Sequence, residues 1–317
     1  MHEGASVGFH TNLINNGSFA SNKGLAGFYG TEELAISGKN KIVFEDVEVV
    51  VDNGVYLETS LGITNSQNFI VGKISTPRND SNVSLEFWGE AIHVGESNAT
   101  YVDGYSFVSS DSDFTFPVGD DNRLRTMSIS NNISNNKYAG AYFFENANNV
   151  SNFDSKTKEY AVGKVSENEY WNLKGNGEVS VTLTWDEASN ISNLTNSLNE
   201  LRVIGWSKEK NKWVNLGNFE VSGDRNQGSL TSLPFTPDDY EVITFGTKYD
   251  GPTHSVNNGH QIDSRIITTN VFDVAGNLVK VFGNDKQVDF TGMAKGIYIL
   301  DFHFSNGERT TKKVLNY

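Results

Sequence analysis

Apolar positions along this chain come in short pulses rather than long runs. In the first hundred or so residues they fall at Leu13/Ile14, Phe19, Leu25/Phe28, Leu34/Ile36, Ile42/Phe44, Val47/Val49/Val51, Val55/Leu57, Leu61/Ile63, Phe69/Val71 and Ile74. Asn15-Asn16-Gly17, Ser37-Gly38, Asp52-Asn53-Gly54 and Gly72 punctuate them, residue types that turn the chain tightly. Strands this short, spaced this closely, predict a coiled ribbon in which each rung adds a few residues to a parallel stack, a β-solenoid-like stalk over residues 1–115. An elongated antiparallel sandwich is the alternative.

From Phe114 the texture changes. Strands are expected at Thr126–Ile129, Tyr138–Phe144, Tyr170–Leu173, Val179–Trp185, Leu201–Trp206, Trp213–Phe219 and Tyr240–Phe245, a set suited to a central β-sandwich over residues 116–247. Val179, Val181, Leu183 and Trp185 alternate with Ser180, Thr182 and Thr184, so one face packs and the other is wetted. Leu201–Trp206 and Asn211–Leu216 read as a hairpin with the charged tip 207–211. The best helix candidate is Asp186–Leu198, with Ile191, Leu194 and Leu198 at helical spacing, and its Asn and Ser content allows a turn or two at most. Residues 248–265 have few apolar positions and read as a linker.

The last segment, 266–317, predicts two hairpins. Ala275-Gly276-Asn277 turns between Val271–Val274 and Leu278–Phe282, and Ser305-Asn306-Gly307 between Ile297–Phe304 and Arg309–Leu315. Tyr298, Leu300, Phe302 and Phe304 share the face expected to pack, with Asp301 and His303 facing out. The order Val271-Phe-Asp-Val-Ala-Gly-Asn-Leu-Val-Lys280, then Met293-Ala-Lys-Gly-Ile-Tyr-Ile-Leu300, then Lys312-Lys313-Val314 resembles the type A C-terminal sorting domain of cargo exported by the bacterial type IX secretion system. The resemblance covers about a sixth of the chain. It implies a small antiparallel β-sandwich, recognition of Lys295, Gly296, Tyr298, Lys312 and Lys313 by the translocon and outer-membrane shuttle components, and a destination at the cell surface or outside the cell. In that family the domain is commonly removed, or used for anchoring, after export. The Asn-Pro turn that usually opens such domains is missing ahead of Ile266, so the start is sought upstream or within Glu241–Thr247.

Composition narrows the rest. With Lys+Arg 25 against Asp+Glu 39 the net charge is −14, which disfavours nucleic acid and anionic membranes as partners. Cys 0 excludes disulfides and thiolate metal sites. No apolar run is long enough for a membrane-spanning helix. Met1-His2-Glu3-Gly4 lacks the basic and apolar regions of a signal peptide, so a mature or partial chain is expected.

Candidate chemistry is thin. The six His show no zincin spacing, and nucleophile-elbow and phosphate-loop motifs are missing; the expectation is that this is not an enzyme. No cofactor is required. A Ca²⁺ site is the one candidate, from Asp111, Asp113, Asp120, Asp121 and Asn122 flanking a short strand, since oxygen-rich loops suit that ion; solvated turns are the simpler reading. Trp185, Trp206 and Trp213 on neighbouring strands are candidates for a sugar-stacking platform, although Trp in such hairpins is more often core. The expected function is a secreted, cell-surface structural or adhesive protein, with roles such as filament formation or gliding contact, partnered by surface glycans or by itself through its end rungs. The alternative is an accessory carbohydrate-binding region of a secreted polysaccharide-degrading enzyme, favoured by exposed, coplanar Trp rings and sunk by buried ones.

Overall fold

The computed structural model describes residues 4–18, 23–131, 136–249, 260–261, 266–283, 287–288, 290, 292–304, 307 and 309–316. It is all-β, with 56% strand and 6% helix, and divides into two compact units, Met1–Tyr249 and Asp250–Tyr317.

The first unit begins as the solenoid that the short pulses predict. Ser6–Phe9, Leu25–Gly30, Ile42–Val51, Leu61–Val71, Leu85–Trp88 and Ser106–Ser110 stack in parallel, in chain order. Their return legs are Leu13–Ile14, Leu34–Ser37, Val55–Leu57, Ile74–Ser75, Val102–Asp103 and Val118–Asp120, and they form a second parallel stack. Ser6 pairs with Leu25, Leu25 with Asp46 and Asp46 with Ser66, so one coil takes about 20 residues. The register stacks like on like. Phe28 lies between Phe9 and Val49, Ile36 against Leu57, and Ile63 against Phe87; Ile36, Leu57, Ile63 and Phe87 are fully buried. The elongated antiparallel alternative is thereby excluded for this region.

Turn residues make the corners for identifiable reasons. Asn15 is buried, and its side-chain amide donates to the Asn40 carbonyl one coil away at 3.0 Å while its Oδ1 accepts from the Gly17 amide at 3.1 Å. Gly38 sits at φ +119°, where an added Cβ would lie 2.1 Å from the Asn15 carbonyl oxygen.

The parallel stack does not stop at residue 115. Ser106–Ser110 pairs in parallel with Leu85–Trp88 on one side and antiparallel with Asn136–Phe143 on the other. The same sheet continues, now antiparallel, through Tyr170–Lys174, Tyr240–Lys248, Leu201–Ser207 and Lys212–Gly217. A five-stranded antiparallel sheet of Phe114–Phe116, Met127–Asn131, Val179–Trp185, Gly228–Thr231 and Glu220–Gly223 contributes to the same core. Phe245 meets the rings of Trp171 and Trp185 edge-on at 5.4 and 5.7 Å. The expected division at residues 115/116 is a change of strand direction inside one unit. The predicted alternation of Val179–Trp185 and the Leu201/Lys212 hairpin are both present. The helical spacing gives the single turn Ile191–Leu194.

In the second unit, Leu278–Phe282, Ile266–Asp273, Gly296–Phe304 and Arg309–Asn316 form an antiparallel sheet in that order, and His260–Gln261 pairs with Gln287–Val288. Much of the expected linker, at 250–259 and 262–265, lies outside the described residues, but 260–261 is strand. Glu241–Thr247 belongs instead to a central strand of the large unit, which removes it as a disguised start of the C-terminal domain.

Candidate functional site

The first hairpin of the C-terminal sheet joins its edge strand Leu278–Phe282 to Ile266–Asp273 through a tightly bonded turn. Asp273 Oδ1 accepts from the backbone amides of Ala275 at 2.9 Å and Asn277 at 2.8 Å, and Oδ2 from the Asn277 side chain at 2.9 Å. These bonds, that from the Asn277 side chain foremost, hold the Asp273 carboxyl below its usual range. Gly276 supplies φ +83°.

The residues expected to be recognised during sorting separate into two kinds. Tyr298 is buried, and its hydroxyl donates to the Ala294 carbonyl at 2.8 Å, so it braces the turn ahead of the strand. Lys295, at the end of that turn, is exposed, as are Lys312 and Lys313 on the last strand. Gly296 pairs with Asn316, whereas Lys312 and Lys313 stand opposite Leu300 and Ile299, about 13 Å further along the sheet at ~3.3 Å per residue. Lys312 and Lys313, being consecutive in a strand, point to opposite faces.

The three tryptophans form no platform. Trp185, Trp206 and Trp213 are 3%, 7% and 0% exposed, and the rings of Trp206 and Trp213 meet at 86°. The indole N–H of Trp185 donates to the Asp224 carbonyl at 2.9 Å and that of Trp213 to the Phe153 carbonyl at 3.2 Å. Strand alternation told which residues share a face. It did not reveal that the largely polar stretch after Phe143 lays Ala147 and Phe153 over the outer face of the large sheet, where they join Val162 and Val165 of the sheet's own Val162–Val165 strand in a second core.

The acidic candidates do not converge either. Asp120 ion-pairs with Arg78 at 2.7 Å and accepts from the Phe144 amide at 2.9 Å, Asp121 faces Arg123 at 3.3 Å, and Asn122 Oδ1 accepts from Lys73 at 3.0 Å. Asp121 and Asn122 adopt φ of +48° and +58°, the conformation for which turns select Asp and Asn. Asp111 and Asp113 precede the Phe114–Phe116 strand at its opposite end, where Asp113 shares a small hollow with Glu90. Among the described residues no three His, Asp or Glu side chains form a metal-sized group. Titrating Ca²⁺ is therefore expected to leave the melting temperature unchanged, and a saturable rise would restore the site.

Sequence reasoning missed a groove of about 800 Å³ on the outer face of the large sheet. Tyr105, Phe143, Tyr170 and Trp206 line it, with Phe153 on the covering segment. Phe143 and Tyr170 are partners across adjacent strands, and their rings stack at 4.7 Å and 7°. The sequence signal was a pair of adjacent aromatics on each strand, Tyr142-Phe143 and Tyr170-Trp171: Tyr142 and Trp171 face the shared core while Phe143 and Tyr170 face outward.

Residues 253–316 match the family described as the secretion system C-terminal sorting domain. No curated protein and no solved structure matches the chain significantly. The family match begins at residue 253 rather than 266, and so takes in the His260–Gln261 strand that the sequence assigned to a linker. Motif order, antiparallel sheet and family match fall on one segment, so residues 253–316 are a C-terminal sorting domain and the chain is a cargo protein of the type IX secretion system, bound for the cell surface or the extracellular space.

Proposed function

We propose that this cargo protein is a non-enzymatic component of the bacterial surface, structural or adhesive in its role. The observation that carries the reading is the unbroken sheet of the first unit, in which six parallel rungs run into antiparallel strands over one core. A continuous ladder resists bending and extension because each strand is held on both sides, which suits a part that bears load or presents a contact surface. The buried charged groups support the same reading, since Arg125 and Glu169 are spent on each other inside the core. The burial of Trp185, Trp206 and Trp213 removes the feature on which the accessory sugar-binding alternative was built.

Deleting residues 250–317 tests the export step. The two units are separately compact, so the remaining chain is expected to keep its β circular dichroism and its cooperative melt, yet to stay in the periplasm. Normal surface display of the deletion would refute the assignment of sorting to this unit. The role is tested separately. Cells lacking the protein are expected to attach or assemble less well, and unchanged attachment and surface morphology would overturn the structural or adhesive reading.

A further inference from the structure

We propose that two copies of this chain pair head to head through their first coils, which joins two solenoids into one ladder. The inference gives the surface-contact reading a partner and rests on it only for its biological sense.

Among the described residues the solenoid is open at one end. Ser6–Phe9 and Leu13–Ile14 are the outermost strands of the two parallel stacks, each paired on one side only. At the other end Ser106–Ser110 is covered by Asn136–Phe143, and Val118–Asp120 by Arg123–Leu124, both antiparallel. Coil-on-coil stacking is therefore open at the first rung and closed at the last, which excludes a head-to-tail filament.

The first rung has the interior of a middle rung without its cover. Val7 holds the place of Ala26 and Val47, Phe9 that of Phe28 and Val49, and Leu13 that of Ile36 and Leu57. Those six successors are at most 1% exposed, whereas Val7, Phe9 and Leu13 are only half-buried and Ile14 is 65% exposed. Phe9 already stacks on Phe28, with ring centroids 5.1 Å apart, so the rung is preformed.

Charge points to a second copy as the cover. Exposed strand edges are ordinarily guarded by charged side chains. Lys212–Gly217, Glu220–Gly223 and Leu278–Phe282 keep that rule with Lys212, Glu220 and Lys280. Residues 4–18 break it: in a chain of net charge −14 they hold no Asp, Glu, Lys or Arg. A two-fold contact sets each group against its own kind, so on so acidic a protein an uncharged end is the one that tolerates its twin. The strand also prescribes the register. Residues directly opposite in an antiparallel pair share a face, and Val7 and Phe9 face the core. The pairing that overlaps both is centred on Gly8, with Phe9 against Val7 of the partner subunit and Gly8 on the axis. One coil end makes a small contact, in the class below about 1,200 Å² in total, so the dimer is weak and concentration-dependent.

The test is sedimentation equilibrium of the full chain over a wide range of concentration. The mass is expected to rise to that of a dimer and stop there. Gly8→Lys and Gly8→Glu each set like charges across the axis, and each alone is expected to weaken association about tenfold or more. An equimolar mixture of the two is expected to restore the dimer. A mass that never leaves the monomer overturns the proposal, as does one that climbs past the dimer, or a mixture no better than either variant alone. Cross-linking keeps the test open should either variant melt below the parent. The chain has Cys 0, and opposed residues stand about 4.5–5.5 Å apart at Cα, within disulfide reach. Gly8→Cys is expected to form a linked dimer under mild oxidation, while Ser112→Cys, at an exposed turn, stays unlinked. Linking at neither site, or equally at both, overturns the proposal. The export and attachment tests above do not depend on these outcomes, so the pairing and the surface reading can fail separately.

Discussion

Arg125→Ala is expected to destabilise the first unit by about 3–5 kcal/mol, the cost typical of removing one partner from a buried ion pair, and to lower its melting temperature by ~10 °C. The Arg125 side chain is 4% exposed and that of Glu169 is 0%. The guanidinium stands 3.4 Å from the Glu169 carboxylate and 2.6 Å from Asp186, and the Tyr142 hydroxyl donates to Glu169 at 2.6 Å. The backbone around Arg125 is equally committed. Its amide donates to the Val118 carbonyl in the last solenoid rung at 2.9 Å, and its carbonyl accepts from the Trp171 indole at 3.4 Å. The residue thus pins the end of the parallel stack to the antiparallel sheets.

The pH dependence of the loss gives a sharper test than its size. Burial raises the Glu169 carboxyl above its ordinary value even against the opposing pull of Arg125. A carboxyl raised by folding contributes stability that is complete below its unfolded value, about 4.3, and that is lost as pH rises through the folded value. Without Arg125 the folded value rises further. The penalty of Arg125→Ala should therefore be smallest near pH 4 and grow towards pH 8, and adding Glu169→Gln should flatten that growth, because an amide carries no charge to bury. Urea melts of the two variants and the parent at both pH values decide it. A penalty equal at pH 4 and pH 8 would show that the loss is one of packing and not of charge.

Much of this architecture was legible in the chain because it is written in local signals. Short apolar pulses broken by Asn and Gly are what a parallel coil of about 20 residues needs, and the alternation of Val179–Trp185 fixes a half-buried strand without outside help. The sorting domain was readable for the same reason: turn, strand and Lys-Lys run lie within fifty residues of one another. What failed was long-range. Asp120 looked like a free oxygen ligand because Arg78, its partner, is 42 residues away in sequence. Trp206 and Trp213 looked available because nothing in the strand pattern reveals that the stretch after Phe143 folds over them. The change of strand direction near residue 115 is silent for another reason: the Ser106–Ser110 strand alternates buried and half-buried positions whether its neighbour runs parallel or antiparallel, so the switch leaves no trace in its residues. The groove was hidden by the same limit, since its floor comes from four strands and its rim from the loops between them.

The corners of the coil offer the second large effect. Gly72→Ala is expected to cost about 2–4 kcal/mol, combining the strain of a side chain at positive φ with that of overpacking. Gly72 has φ +85°, and a Cβ there would lie 1.9 Å from the Val51 carbonyl oxygen and 3.1 Å from Gly54 Cα. Both contacts are backbone of the preceding coil, so neither can swing aside as a side chain would. That backbone is itself tied down: the Gly54 amide donates to Val51 at 2.9 Å, and Val55 donates to the Lys73 carbonyl at 2.8 Å. Gly89 supplies the control. It has φ +64° with nothing within 4 Å of the added carbon, so Gly89→Ala should cost only the conformational strain, roughly 1–2 kcal/mol. The difference between the two variants measures how tightly one coil is seated on the next. In a stack where each repeat leans on its neighbours, the damage from Gly72→Ala should also be local, with hydrogen exchange accelerated first at Gly54 and Val55, whose amides donate to the Val51 and Lys73 carbonyls at that corner. Equal costs for the two alanines, or exchange accelerated uniformly across residues 1–249, would mean that the coils are coupled through the shared core rather than through their corners.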